Sequence, residues 1–190
     1  MNERSLRAGG GFTAECRQKY KSPEVTAMFQ RVFALLPLFA VIHEEIFVVH
    51  GGLPRLPNLK LDDLRAYDLC NTAFPVQRTR AQKEEGVELN WTDSETILFD
   101  AVWSDPHPGD GIVHAKRGGE TVCFGADVTR QFLEASDLRL CIRSHQLVDW
   151  SGHHWAHDGR LLTIFSASHY GGTVQNQGST ALIRRNKSTD

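Results

Sequence analysis

No stretch of this sequence approaches the roughly 20 consecutive apolar residues that a membrane-spanning helix requires. Neither sign of charge dominates: 21 Lys and Arg stand against 23 Asp and Glu, a formal net charge of -2. A protein held on nucleic acid by bulk charge would carry a basic stripe, and the sequence has none. Met1–Arg7 lacks the apolar run of a signal peptide, and Glu3 is out of place in a transit peptide. Cysteine is sparse. Cys16, Cys70, Cys123 and Cys141 are scattered without a CxxC pair, and Cys123 and Cys141 sit in apolar runs where a reduced, buried thiol is the ordinary state. These absences set the expectation of a cytoplasmic or nuclear protein, with neither membrane nor nucleic acid among its partners.

What is present is an average globular composition, 41% hydrophobic and 23% charged over 190 residues, enough for one domain with a substantial core. Residues 1–10 are polar, run into Gly9-Gly10-Gly11 and read as a flexible lead-in. Of two helix candidates that follow, the second is the clearer. Ser22 can cap it, Pro23 suits the first helical position and Glu24 the first turn. Its apolar residues Val25, Met28, Phe29, Val32, Phe33 and Leu36 share one face, which predicts burial of that face. Phe39–Ile42 and Ile46–His50 flank His43-Glu44-Glu45 as the two arms of a hairpin. Cys70–Thr96 is polar and weakly periodic, and reads as a surface insertion with little regular structure. Ile97–Trp103 restores an apolar pattern. Asp127 is placed to cap a helix running to Ala135 with Val128, Phe132 and Leu133 on one face. Leu138–Arg143 and Leu161–Ser166 read as buried strands, and Thr180–Ile183 as a final one. The fold class expected is α+β.

Chemistry gathers where strands end. His50 closes Ile46-Phe47-Val48-Val49 and meets Gly51-Gly52 at once; His145 closes Leu138–Ser144. The C-terminal end of a strand is where a rigid scaffold presents a side chain to a cleft, and a neutral imidazole there can ligate a transition metal. Arg117, beside Gly118-Gly119, has room to offer its planar fork to a phosphate, although a solvated turn would have the same composition. Trp103-Ser104-Asp105-Pro106 reads as a turn or a cleft wall, and Ser166–Gly172 as a strand entering a loop that carries the Tyr170 phenol.

Taken in order, Phe47-Val48-Val49-His50-Gly51-Gly52-Leu53, Val102-Trp103-Ser104-Asp105-Pro106, Arg117-Gly118-Gly119, Phe124–Thr129, Ile142-Arg143-Ser144-His145 and Thr163–Tyr170 resemble successive motifs of the PPP phosphoprotein phosphatases. The resemblance runs from about Gly11 to Ile183, broken by the insertion at about 70–96. The doubled glycine after Arg117, the FGADVT form and FSAS are most similar to the EF-hand-linked branch. The resemblance implies the C-terminal half of a four-layer metallophosphoesterase β-sandwich flanked by helices, with residues 11–190 forming a partial catalytic domain. It also implies serine/threonine phosphatase activity on phosphoprotein substrates, with regulatory subunits or domains as partners. By the same resemblance His50 and His145 are metal ligands and Arg117 clamps phosphate. Tyr170 stands beside the catalytic cleft, and Trp103 and Asp105 form its wall. Two divalent ions, manganese, iron or zinc, are implied for the complete enzyme, about 3.5–4 Å apart so that they clamp the phosphoryl group and activate a bridging water.

Three family motifs, GDxHG, GDxVDRG and GNHE, have no counterpart here. Gly109-Asp110-Gly111 lacks the histidine and Ile42-His43-Glu44 lacks the asparagine. With them go the aspartates and the asparagine that bind the metals, a second phosphate-binding arginine and the general-acid histidine. Two histidines alone leave any metal short of anionic oxygen, so the implied metal site is incomplete in this chain. His169 stands where an asparagine is usual, and Gly152-His153-His154 where GYE is. Two readings stay open: a phosphatase whose activity belongs to a longer protein, and a non-catalytic phosphatase-like protein that binds substrates or partners. A metallophosphoesterase acting on nucleotides is disfavoured by the RSH and FSAS forms.

Overall fold

The computed structural model describes residues 11–148 and 150–184. The expected lead-in at 1–10 lies outside the described residues. Helix α1 (Phe12–Tyr20) turns through Lys21, in the left-handed conformation, into α2 (Pro23–Ala34). Ser22 caps α2 as its sequence predicts, its hydroxyl accepting from the Glu24 amide at 3.2 Å. Phe12 meets Phe29 and Phe33 at ring separations of 5.2 and 5.5 Å, which joins the two helices. The predicted burial of the α2 face is not found as a whole: Met28 and Val32 are 63% and 55% exposed, because α1 covers only the phenylalanine side.

Strands β1 (Phe39–Ile42) and β2 (Ile46–Val49) form the expected antiparallel hairpin, with His43 and Glu44 at positive φ in its turn. Helix α3 (Leu61–Ala66) follows, its Leu61 and Leu64 buried. The 70–96 stretch is largely exposed, yet it carries the short helix α4 (Arg80–Glu84) and the start of α5 (Asp93–Trp103). Helix α5 corrects the expectation that order resumes only at Ile97. Thr92 and Glu95 satisfy each other's backbone amides at its N-terminus, which starts the helix four residues earlier.

Strands β3 (Asp105–Pro106), β4 (Ile112–His114) and β5 (Val122–Phe124) form a small sheet in the order β3-β5-β4. Helix α6 (Ala126–Ala135) follows, but Gly125 rather than Asp127 is its N-cap. The Asp127 carboxylate instead accepts from the Gly111 amide at 2.7 Å, tying the helix start to the β4 side of the sheet. Strands β6 (Leu140–Arg143), β7 (His153–Ala156) and β8 (Leu161–Ile164) complete the larger sheet, ordered β1-β2-β6-β8-β7. Its centre is parallel, β2 to β6 to β8, and its margins are antiparallel. The final strand predicted at Thr180–Ile183 is absent, that segment being irregular.

The core lies between the larger sheet and α5 and α6. Phe47, Ile97, Phe124, Leu133, Cys141 and Leu161 are each at most 1% exposed within one cluster. At about 25 cal/mol per Å² of apolar surface removed from water, such a cluster is the main stabilising term. It fixes β2 and β6 side by side, and so fixes where their C-terminal ends emerge.

Candidate active site at the ends of the central strands

Because β2 and β6 run parallel in register, Val48 opposite Ile142, the residues that follow them leave the sheet together. His50 and His145 therefore meet, ring centroids 5.0 Å apart and inclined at 64°. The Ser144 amide donates to the His50 carbonyl at 3.0 Å, which locks the two strand ends. His145 is held at φ 68, a left-handed conformation unusual for a side-chain-bearing residue outside Asn, Asp and His. Its ring stands edge-on to Trp103 at 5.3 Å.

The glycines after His50 are required by contact. A Cβ on Gly51 would lie 2.5 Å from the Val102 carbonyl carbon, and one on Gly52 2.1 Å from the Phe124 ring. The Gly51 amide donates to Ala101 at 2.7 Å, so the loop after His50 lies directly on the end of α5.

Beneath the histidines is a residue whose importance the sequence reading did not single out. Arg143 is 1% exposed. Its guanidinium donates to the Gly51 carbonyl, to the Ser104 carbonyl at 3.1 Å, to Asp105 Oδ1 at 2.8 Å and to Gln146 Oε1 at 2.7 Å. The signal was present: an arginine ending the apolar strand Leu140-Cys141-Ile142 must find acceptors if it is buried. Asp105 is itself buried, and its second oxygen accepts from Arg117 at 3.0 Å. One carboxylate thus brackets two arginines, and its Oδ1 lies 4.0 Å from His145 Nε2.

Of the residues singled out in the sequence, His50, His145, Trp103, Asp105 and Arg117 are brought into one connected group. Tyr170 is placed differently: it is 53% exposed in a short turn, Tyr170–Gly172, with its ring edge-on to Phe165 at 5.0 Å. His169, the residue in place of an asparagine, has φ 51, a left-handed setting that both residue types tolerate.

Burial pushes the His145 imidazole down to about 4; Asp105 opposes the shift, and Arg117, Arg143 and His50 reinforce it. Partial desolvation, then the charge of Arg143, lowers His50 as well. Both rings are therefore neutral near pH 7, the form that ligates metals. His145 Nε2 is buried without a hydrogen-bond partner, as a ligand nitrogen awaiting an ion would be. The fit ends there. Among the described residues no group of three or more His, Cys, Asp or Glu converges on a point, and both Asp105 oxygens are engaged by arginines. Two nitrogen donors fit a share of a metal centre and do not fit two ions.

The profile of the family described as calcineurin-like phosphoesterase matches residues 3–149. The chain belongs to the calcineurin-like phosphoesterases. Among sequence relatives, "Serine/threonine-protein phosphatase 5" of Solanum lycopersicum is 40% identical over 92% of this chain and 27% of its own length. "Serine/threonine-protein phosphatase T" of Trypanosoma brucei brucei is 37% identical over 92% of this chain and 32% of its own. A solved Saccharomyces cerevisiae protein serine/threonine phosphatase, described as similar to human phosphatase PP5, superposes with a TM-score of 0.70 at 30% identity. That superposition covers 88% of this chain and 46% of the yeast chain. The calcineurin-like phosphoesterase chain thus spans about a third or less of these curated relatives and under half of the solved structure. Its fold is the metallophosphoesterase α+β fold, and the family is one of metal-dependent phosphoesterases. None of these three relatives carries an EF-hand-linked name. No helix among the described residues is long and apolar enough to cross a membrane.

Proposed function

We propose that the chain contributes the phosphate-binding and histidine part of a protein serine/threonine phosphatase active site, phosphoserine and phosphothreonine in proteins being the substrates. The observation that carries this reading is the shared carboxylate. Asp105 holds Arg117 at 3.0 Å on one oxygen while His145 Nε2 stands 4.0 Å from the other. The proximity of a guanidinium fork and an imidazole to one carboxylate supports this reading.

In this reading Asp105 orients Arg117 through one N–H and leaves the rest of its fork to a phosphate, as two parallel hydrogen bonds. His50 and His145 would supply nitrogen ligands to divalent ions, manganese, iron or zinc, which polarise the phosphoryl group when bound. Trp103 walls the cleft, and Tyr170, exposed in the loop after β8, is proposed to border it when substrate binds. Residues 11–190 then form part of a catalytic domain, with the segment at about 70–96 inserted in it. Regulatory subunits or domains and cytoplasmic or nuclear residence accompany the reading; the free thiols Cys16 and Cys141, both buried, suit a reducing compartment.

The test joins this chain to a complete preceding catalytic segment from a relative and compares kinetics. Arg117→Ala is expected to lower kcat/KM by an amount corresponding to about 3 kcal/mol. Arg117→Lys is expected to recover only part, since an ammonium cannot make the two-bond contact. Unchanged turnover in both variants would remove Arg117 from the site. A second reading, a non-catalytic protein that binds phosphatase substrates or partners, is favoured by the lack of any three-ligand cluster among the described residues. Phosphopeptide binding without turnover in the joined protein would select it.

A further inference from the structure

The turn that carries Arg117 has little of its own to hold it. Lys116–Glu120 closes the β4–β5 hairpin through the Ala115 amide on the Thr121 carbonyl at 3.0 Å and the Gly118 amide on the Ala115 carbonyl at 3.1 Å. Gly118 and Gly119 both sit at positive φ, 79 and 69, where glycine has no steric preference for one state. Residues 116–119 are exposed, and then Glu120 is 1% exposed. A carboxylate buried at the foot of a glycine turn must be paired or it destabilises the fold.

Among the described residues both cations on its carboxylate come from the 70–96 segment, while Arg55, outside it, donates to the Glu120 carbonyl at 2.6 Å. Arg78 grips Glu120 with both arms of its fork, Nε to Oε1 at 3.0 Å and a terminal nitrogen to Oε2 at 2.9 Å. Lys83 adds a contact to Oε1 at 3.0 Å and donates to the Gly119 carbonyl at 2.6 Å. Gln77 lies so close that a Cβ on Gly119 would stand 2.6 Å from its side-chain oxygen. Burial alone would raise the Glu120 carboxyl, and the bonds from Arg78 and Lys83 overcome it and hold it below the ordinary value. The segment is in turn anchored to the core: Trp91 and Phe74 pack on the buried Phe99 at ring separations of 4.7 and 5.7 Å.

We propose that the 70–96 segment is a brace for the Arg117 turn, with Glu120 as its positioning residue. Through Arg78 and Lys83 it sets the conformation of Lys116–Glu120, and so the strength with which Arg117 receives phosphate. The inference rests on the reading of Arg117 as a phosphate-binding residue and extends it to side chains that touch no substrate. An insertion with this role couples anything that binds or modifies it to the clamp.

The experiment uses the 190-residue chain, isotopically labelled, as the unmodified protein and as Arg78→Met, Arg78→Lys and Glu120→Gln. Amide hydrogen exchange is read for residues 115–121 and for Cys141 and Ile142 in β6. The Arg117 Nε–H resonance is followed during titration with inorganic phosphate. Arg78→Met is expected to speed exchange in the turn about tenfold or more while β6 changes by less than about twofold. The phosphate Kd is expected to rise about threefold or more, with Arg78→Lys between the two, since lysine restores charge without the fork. Glu120→Gln, nearly the same size, gives the same local readout should Arg78→Met not fold. Unaltered exchange in the turn, or a rise shared equally with β6, would overturn the brace. If phosphate leaves the Arg117 resonance of the unmodified chain in place, the phosphate-binding reading fails. The exchange data then still decide whether the segment holds the turn.

Discussion

Replacing Arg143 by methionine removes a guanidinium from the deepest polar point of the site while keeping an apolar stem of similar reach. The loss leaves the Gly51 and Ser104 carbonyls and Asp105 Oδ1 without this donor, in a place where Arg143 itself is 1% exposed. Breaking a buried ion pair from one side costs about 3–5 kcal/mol, and each stranded acceptor adds about 1–3 kcal/mol. Arg117 keeps its hold on the other Asp105 oxygen, so the carboxylate is not wholly uncompensated and the lower range applies. The expected destabilisation is therefore about 5 kcal/mol, a large part of the roughly 5–15 kcal/mol that holds an ordinary domain. Urea unfolding followed by tryptophan fluorescence measures it, with Trp103 and Trp91 close to the affected region. In a double-mutant cycle with Asp105→Asn, the combined loss should fall short of the sum by about 1–3 kcal/mol, because the second change removes a partner already lost. Arg143→Lys should not recover the stability, since a single ammonium cannot reach acceptors on three loops. A loss for Arg143→Met within about 0.5 kcal/mol, or additivity in the cycle, would refute the account of Arg143 as the joint of the site.

Three further outcomes are expected. Manganese or zinc should bind this chain weakly and below one equivalent, through His50 and His145; two tightly held ions by elemental analysis after dialysis would show that the ligand set is misjudged. His157 is lowered chiefly by burial, with its Nδ1 2.7 Å from the Thr129 hydroxyl and its Nε2 3.0 Å from the His107 carbonyl. Its neutral form therefore stabilises the fold above the unfolded value of about 6.5, and this stabilisation falls away as pH drops below it. Urea midpoints between about pH 5 and 7.5 should show that slope, reduced in His157→Gln but not abolished, since His50 and His145 are lowered too; an unchanged slope would exclude His157. Finally, the exposed apolar patch of Met28 and Val32 on α2 with Leu35 and Leu36 just after it should make the chain self-associate and bind hydrophobic dye, and Met28→Lys with Val32→Lys should suppress both. A dye-silent monomer in light scattering would count against that.

The parts of the fold that were legible in the sequence are those governed by local rules. Ser22-Pro23 marks the start of α2, His43-Glu44-Glu45 the turn of the first hairpin, and the apolar runs through Leu140 and Leu161 the buried strands. Thr92 and Glu95 carried an equally local signal for α5, overshadowed by the polar surroundings of the 70–96 segment. Asp127 failed as a cap for a different reason: a distant acceptor-seeking amide, Gly111, claimed its carboxylate. The histidines and Arg117 were legible through motif resemblance. Arg143 as a hub, Asp105 as a two-sided bracket and Glu120 under the glycine turn were not, because each depends on partners far away in sequence that only the folded chain brings near.

The parallel pairing of β2 with β6 also says something about time. The side chains of Glu45 and Arg139, at the entrance to that pair, bond across a sequence separation of 94. Closing a loop of that length opposes folding by roughly 4 kcal/mol before any strand contact repays it. The α1–α2 pair and the β1–β2 hairpin join neighbours in sequence and need no such closure. The meeting of His50 and His145 therefore waits on a long-range closure that the helix pair and the first hairpin do not need.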